Sequence, residues 1–250
     1  MTSCRGKLRY LAVLAFAALL ALPPAASADS CPTKPNLPSA DGSQPSNLGI
    51  LKLQLLDYKC FGAYDRDVAN VLGDAQAYVG QRSSAAASGE TLAVVMDIDE
   101  TSVSNWANLA ADDFGFFAKG ECNLQPSEPC GFDKWIETQN PEPIKPTRDL
   151  FDLAKKSGVK VFFISARRED QRDATVKHLT ATGYKDWDGL ILKQPSDPAA
   201  VSAYKAIARA DIEEKKKIKI IANVGDQLSD LAGGHAERTF KVPNPFYFIP

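Results

Sequence analysis

Apolar residues along this chain follow two patterns. Between residues 48 and 87 they recur at helical spacing, at Leu51, Leu55, Leu56, Val68, Val71, Leu72, Ala75 and Val79. A three-to-four-residue period marks an amphipathic helix, and two helices are expected here, bent or broken near CFGAYD. From Thr91 onward the apolar residues form short continuous runs instead. TLAVVM (91–96), VKVFFI (159–164), GLIL (189–192), IKIIANV (218–224) and TFKV (239–242) have strand length. Runs that are apolar on both faces suit buried parallel strands.

Helical segments lie between these runs. PTRDLFDLAKKSG has Thr147 near its start and ends at Gly158, and REDQRDATVKHLTATGY has Gly183 near its end; glycine commonly follows a helix C-terminus. DPAAVSAYKAIARADIEEKK opens on Asp197-Pro198, a helix-start signal. Strands alternating with helices predict an α/β domain, a mostly parallel sheet flanked by helices and preceded by a helical segment. Residues 106–145 interrupt the alternation. They hold Trp106, Phe114, Phe116, Phe117, Trp135, two cysteines and several prolines, and are too long for a plain connection. They are expected to form an insertion above the sheet. There are no internal repeats, and low complexity is confined to residues 82–89.

The N-terminus changes the picture of where the chain works. Arg5, Lys7 and Arg9 precede the apolar run LAVLAFAALLAL, and PPAASA follows before Asp29. This is the layout of a signal peptide (residues 1–28) cut near Ala28. The run is about a dozen residues, short of the ~20 that a membrane-spanning helix needs, and the residues before Cys31 do not fit a lipid-attachment box. An exported protein, periplasmic or secreted and without a stable membrane anchor, is expected. Residues 29–250 are then one domain, with 29–47 as an extended lead-in rich in Pro, Ser and Asp.

The formal charge of −2 becomes more negative once the leader is gone. Such a mildly acidic chain is not expected to bind a nucleic-acid polymer. A homo-oligomer is compatible with it. Cys4 leaves with the leader, and Cys31, Cys60, Cys122 and Cys130 remain. An even count in an exported chain favours disulfides. Local pairing would join Cys31 to Cys60 and Cys122 to Cys130, one of three connectivities that four cysteines allow. A zinc site lacks support, because there is no C-x-x-C and both histidines are far from the cysteines.

Candidate chemistry sits just past the strands, where open α/β sheets bind ligands. Asp97 and Asp99 follow the first run, Ser165 and Arg167 the second, and Asp226 and Asp230 the fourth, while Lys205 lies in the first half of a helix. Residues i and i+2 on a strand share a face, so Asp97 and Asp99 are expected to project together. Close carboxylates raise one another's pKa unless a cation lies among them, and hard oxygen donors of this kind suit Mg²⁺. An Asp carboxylate can also act as a nucleophile and form an aspartyl-phosphate. Lys205 and Ser165 could then clamp the phosphoryl oxygens. Lys193 is a rival for that charge.

These residues carry a resemblance. Asp97-Ile98-Asp99-Glu100-Thr101, Ser165 ending VFFIS, Lys205 in AYKAIAR and GDQLSDL (225–231) look like the four ordered motifs of the haloacid dehalogenase (HAD) superfamily. DIDET, NVGDQLSDL and FKVPNPFYFIP are closer still to its exported acid phosphatases (subfamily IIIB), the branch with plant acid phosphatases and vegetative storage proteins. The likeness spans roughly residues 45–250. It implies a HAD-like (Rossmannoid) fold with a small cap insertion after the first strand. It also implies Mg²⁺-dependent acid phosphatase activity on phosphomonoesters such as nucleotides and aryl or sugar phosphates.

By that resemblance Asp97 would be nucleophile and metal ligand, and Asp99 general acid/base with its carbonyl on the metal. Ser165, Lys205 and Arg167 would bind phosphate. Asp226 would bind the metal, and Asp230 would ligate it through water or orient Lys205. Motif two departs from the pattern, with Ala166 where relatives often have Gly. A storage or binding protein on the same fold, or a phosphotransferase, are the alternatives. Histidine, dinuclear-metal and cysteine phosphatases lack their residues here: there is no R-H-G, no C-x₅-R and only two histidines. Glu100 is read as a turn-forming residue, His178 as a helix-surface residue and His235 as a loop residue. Trp106, Phe114 and Phe117 could stack on a substrate or pack the insertion.

Overall fold

In the computed structural model, residues 46–124 and 129–249 are described. The leader and Cys31 fall outside them, so the cleavage near Ala28 and the Cys31–Cys60 pairing lie outside the described residues. Two helices open this part, α1 (Leu48–Cys60) and α2 (Ala63–Ser84). They break at Gly62, whose φ of 75° is left-handed and costs glycine little. α2 buries Tyr64, Val68, Leu72, Ala75 and Val79 on one stripe. By contrast α1 buries no residue, and Leu51 remains 39% exposed.

All five apolar runs are strands: β1 (Leu92–Met96), β4 (Lys160–Arg168), β5 (Gly189–Lys193), β6 (Lys219–Gly225) and β7 (Arg238–Lys241). Two further strands, β2 (Val103–Ser104) and β3 (Glu142–Pro143), form a separate short ribbon. The main sheet has the order β5-β4-β1-β6-β7 and every pairing in it is parallel. β1 is central and buried along its whole length. Its alternate residues serve opposite faces, as a pleated strand requires. Val94 and Met96 pack with Leu72, Val79, Leu150 and Phe151, from α2 and α5 (Lys145–Lys156). Ala93 and Val95 pack with Ala208 and Ile212 of α7 (Val201–Lys216). The strand is therefore apolar throughout because helices cover both faces.

The insertion leaves and returns through the β2–β3 ribbon, which is antiparallel. It contains α3 (Trp106–Ala111) and α4 (Phe132–Thr138). The Cys122–Cys130 disulfide is present, and with Trp135 and Ile136 it forms a small core of the insertion's own. Trp106 and Phe114 turn inward and pack on Phe246, at 5.4 and 6.2 Å between ring centroids. No helix among the described residues is long and apolar enough to cross a membrane.

One expected helix start is displaced. α7 begins at Val201, three residues past Pro198, with Ala200 as its N-cap. Asp197 instead closes the preceding turn: its carboxylate accepts from Ala199 N at 2.9 Å, a local bond that competes with helix formation. Its carbonyl accepts from Lys193. That contact removes Lys193 as a rival to Lys205.

Candidate active site

Parallel strands bring the first and last acid pairs together. β6 lies beside β1, and Asp97 N donates to Val224 O at 2.9 Å, so Asp97 and Asp226 emerge side by side. β1 ends at Met96 and the chain turns over Ile98, whose carbonyl accepts from Ser102 N and Val103 N. The strand alternation expected to put Asp97 and Asp99 on one face therefore stops short of Asp99. The two carboxylates separate into different clusters.

The first cluster is Asp97, Asp226 and Asp230, all buried, with ligand oxygens within 4.8 Å of one another. Lys205, on α7, reaches between two of them. Its Nζ donates to Asp97 Oδ1 at 2.5 Å and to Asp230 Oδ1 at 2.6 Å. Burial alone would lower the ammonium pKa, but Asp97 and Asp230 hold it above the ordinary lysine value. Asp97 is raised well above the carboxylate range, first by burial, with Asp230, Asp226 and Asp99 adding to it against the pull of Lys205. Burial and then Asp230 also raise Asp226. Three buried carboxylates facing one ammonium are hard oxygen donors with excess negative charge, a set that a small divalent cation suits.

Around this cluster the acids are positioned by neutral donors. Asp226 accepts from Thr101 Oγ1 (2.9 Å), Gln227 Nε2 (2.8 Å) and Asn244 Nδ2 (2.6 Å). Asp230 Oδ2 accepts from Gln227 N at 2.8 Å. Arg209, almost fully buried, ties down the loop after Asp230. It donates to the carbonyls of Asp230 at 2.6 Å, of Ala232, and of Gly234 at 2.9 Å.

Gly225 leaves room for Asp230, since a Cβ there would sit 2.4 Å from the Asp230 Cβ. Gly225→Ala is accordingly expected to cost about 1–3 kcal/mol, the usual range for overpacking, read as a lower urea midpoint. A midpoint equal to wild type would show that Asp230 moves aside freely.

The second cluster centres on Asp99. Arg167 Nη2 donates to Asp99 Oδ1 at 2.7 Å and Nε to Oδ2 at 3.0 Å, a two-pronged pair. Asn105 Nδ2 adds a bond of 2.8 Å to Oδ1. Burial would raise this carboxyl, but Arg167 and Asn105 hold it below the usual value. The expectation that Arg167 joins Ser165 as a phosphate ligand is thus not what the geometry displays: its guanidinium is engaged by Asp99. Only its backbone N–H meets Ser165, donating to Oγ at 3.1 Å. Phe163 pairs with Met96 across the sheet, so buried Ser165, two residues on, stands level with the turn after β1.

Glu100 is more than a turn residue. It is buried at a left-handed φ of 53°, accepts from Asn105 N at 2.5 Å and from Tyr247 Oη at 3.0 Å. Burial, then the charges of Asp99 and Asp226, push it up to about 8. His178 is not on a surface. It lies fully buried on α6 (Arg172–Ala181), because the returning insertion covers that face. His235 is a loop residue, 3.3 Å from Glu213 and apart from both clusters.

A cleft of about 460 Å³ opens on the Asp99 side. Arg167, Asn108 and Gln171 line it with Phe114, Phe116, Phe132, Tyr247 and Phe248. A wider groove between α1 and residues 243–246 holds none of the four aspartates. Sequence reasoning did not find Thr101, Asn105, Gln227, Asn244 or Tyr247. The signal for the last two was FKVPNPFYFIP, a polar Asn and Tyr in an apolar tail.

The chain resembles known proteins in sequence and in fold. The chain is 33% identical to stem 28 kDa glycoprotein of Glycine max over 159 residues, covering 62% of this chain and 59% of that one. It is 31% identical to acid phosphatase 1 of Solanum lycopersicum over 156 residues, with 62% and 58% covered. The match thus spans under two thirds of these relatives' length. The fold is like that of the class C acid phosphatase from Bacillus anthracis. The TM-score is 0.62 at 21% identity, over 80% of this chain and 86% of that one. The model of HAD superfamily subfamily IIIB (acid phosphatase) matches residues 49–250, and the chain belongs to that family.

Proposed function

We propose that this chain hydrolyses phosphomonoesters through an aspartyl-phosphate on Asp97. What carries the reading is the meeting of Asp97, Asp230 and Lys205 in one buried contact, with Asp226 alongside. In the first step a carboxylate oxygen of Asp97 bonds to phosphorus as the ester P–O bond breaks. Asp99, ionised at rest beside Arg167, takes up a proton as the substrate binds and gives it to the leaving oxygen, then takes one from water, which attacks phosphorus and releases inorganic phosphate and free Asp97. Lys205 and the Ser165 hydroxyl hold the phosphoryl oxygens. Arg167 keeps Asp99 in place.

The donor set fits Mg²⁺. Asp97, Asp226, Asp230 and the Asp99 carbonyl would hold it, and it would offset the charge of carboxylates and phosphoryl group. The aromatic cleft beside Asp99 would take an aryl or nucleoside leaving group. Phe116 and Phe248, 72% and 74% exposed, offer ring faces to it. Work in an oxidising, exported location fits the Cys122–Cys130 disulfide.

The test is release of phosphate from 4-nitrophenyl phosphate and from an alkyl phosphate at mildly acid pH, with Mg²⁺ and with EDTA. Turnover is expected only with Mg²⁺. Aromatic contacts of about 0.5–1.5 kcal/mol would favour the aryl ester by a few-fold in KM. A protein inert with Mg²⁺ from acid to mildly alkaline pH would be better explained as a storage or binding protein. Phosphate transferred to an added alcohol in preference to water would make it a phosphotransferase.

A further inference from the structure

His178 and Arg167 form a chain of contacts that reaches from the insertion to Asp99. On one side of the imidazole, Arg167 Nη1 lies 3.2 Å from Nδ1. On the other, Nε2 lies 2.8 Å from the carbonyl oxygen of Gln139. Arginine can only donate and a carbonyl can only accept. Nδ1 must therefore be the bare nitrogen and Nε2 the protonated one, and the ring is neutral. An imidazolium would set a second N–H against the guanidinium. Burial, followed by the charge of Arg167, agrees with this by lowering His178 from 6.5 to about 4.

The other side-chain contacts of Arg167 face Asp99 and Thr175. Nε and Nη2 serve Asp99, and Nη1 also approaches Thr175 Oγ1 at 3.4 Å. Thr175 and His178 stand three residues apart on α6, on one face, and both are fully buried. Among the described residues, His178 thus supplies the closer of two acceptors at the far edge of the guanidinium. Gln139, just past α4 in the insertion, fixes His178 in turn.

We infer that His178 is a positioning residue: as a neutral acceptor it locks Arg167, and through Arg167 the carboxylate of Asp99, to the backbone of the insertion. The inference rests on Asp99 as the acid/base group of the proposed reaction. Outer partners that orient the ligands of metal sites commonly cost about 10–100-fold in activity when lost, and the same scale is expected here.

Two substitutions separate the halves of the imidazole. In His178→Asn the amide oxygen occupies the place of Nδ1 and can still accept from Arg167. In His178→Gln the amide reaches the place of Nε2 and can still donate to Gln139, but Arg167 loses its acceptor. The expected result is kcat/KM within about threefold of wild type for Asn and about 10–100-fold lower for Gln. The Gln loss is expected to be larger on an alkyl phosphate than on 4-nitrophenyl phosphate, whose leaving group needs little help from an acid.

Urea unfolding of both variants controls for stability, and a purely structural role would lower activity in step with it and equally on both substrates. Equal activity of Asn and Gln, or a Gln loss that ignores the leaving group, overturns the inference. A wild-type protein inert on both substrates defeats the phosphatase reading instead. The tautomer has its own readout: imidazole ¹⁵N spectra at neutral pH are expected to show Nε2–H for His178, and Nδ1–H would refute the chain whatever the activity.

Discussion

Asp97→Asn is expected to remove turnover by about 10⁴-fold or more, the scale of losing a nucleophile, while the protein stays folded. The amide has the carboxylate's shape but no charge with which to attack phosphorus. Its effect on stability runs a different way. Asp97 sits in a buried group with Asp226 and Asp230, where burial and its acidic neighbours already disfavour its ionised form. Asn removes one of those like charges. Lys205 exchanges one carboxylate acceptor for a neutral amide oxygen but keeps Asp230 at 2.6 Å. These effects oppose one another, so the unfolding free energy should change by about 1 kcal/mol or less, well below what an unpaired buried charge would cost. Paired urea titrations and phosphate-release assays check both halves. Turnover within tenfold of wild type would rule out Asp97 as the nucleophile. Loss of the folded state would mean the carboxylate is needed to hold Lys205.

Much of this arrangement is legible in the sequence, for identifiable reasons. The inner strands β1, β4 and β6 declare themselves because helices cover both faces and their runs are mostly apolar, while β5 and β7, at the sheet edges, show only short apolar runs and stay partly exposed. The position of Asp97, Ser165, Asp226 and Asp230 follows from one rule, that polar residues just past such strands share an edge, whereas Lys205 comes from α7 and is singled out by the resemblance. What escaped depends on contacts between distant segments. His178 reads as a surface residue because its own helix gives no sign that Gln139, 39 positions earlier, will return to cover it. Arg167 reads as a phosphate ligand because the resemblance places it beside Ser165 in the second motif, whereas its guanidinium pairs with Asp99, past the turn at Ile98. Asn244 touches Asp226 from the C-terminal tail, a contact no local pattern encodes. The start of α7 failed for a local reason, since the Asp197 side chain served its own turn before it could cap a helix.

Lys205→Met should be the most destabilising single change at this site. The ammonium is buried and lies between two carboxylates, so methionine fills its space but leaves Asp97, Asp226 and Asp230 with no positive partner among the contacts described. Removing one member of a buried ion pair costs about 3–5 kcal/mol, because the remaining charge stays desolvated. The carboxyls can escape part of that cost by taking up protons. Asp97 and Asp226, which burial already raises, lose the opposing ammonium in the variant and rise further, so its folded state binds more protons and gains stability as pH falls. The deficit relative to wild type should therefore be largest near neutral pH and shrink on acidification. If these three acids hold Mg²⁺, the cation offers a second escape. A ligand at 100 times its Kd adds about 2.7 kcal/mol to the folded state, and the variant, more negative than wild type, should gain more from Mg²⁺ than wild type does. Urea unfolding at neutral and acid pH, with Mg²⁺ and with EDTA, reads all three effects. A deficit that stays constant with pH and ignores Mg²⁺ would show that Lys205 matters for packing alone, and that the carboxylates are not the charged, cation-seeking group their geometry describes.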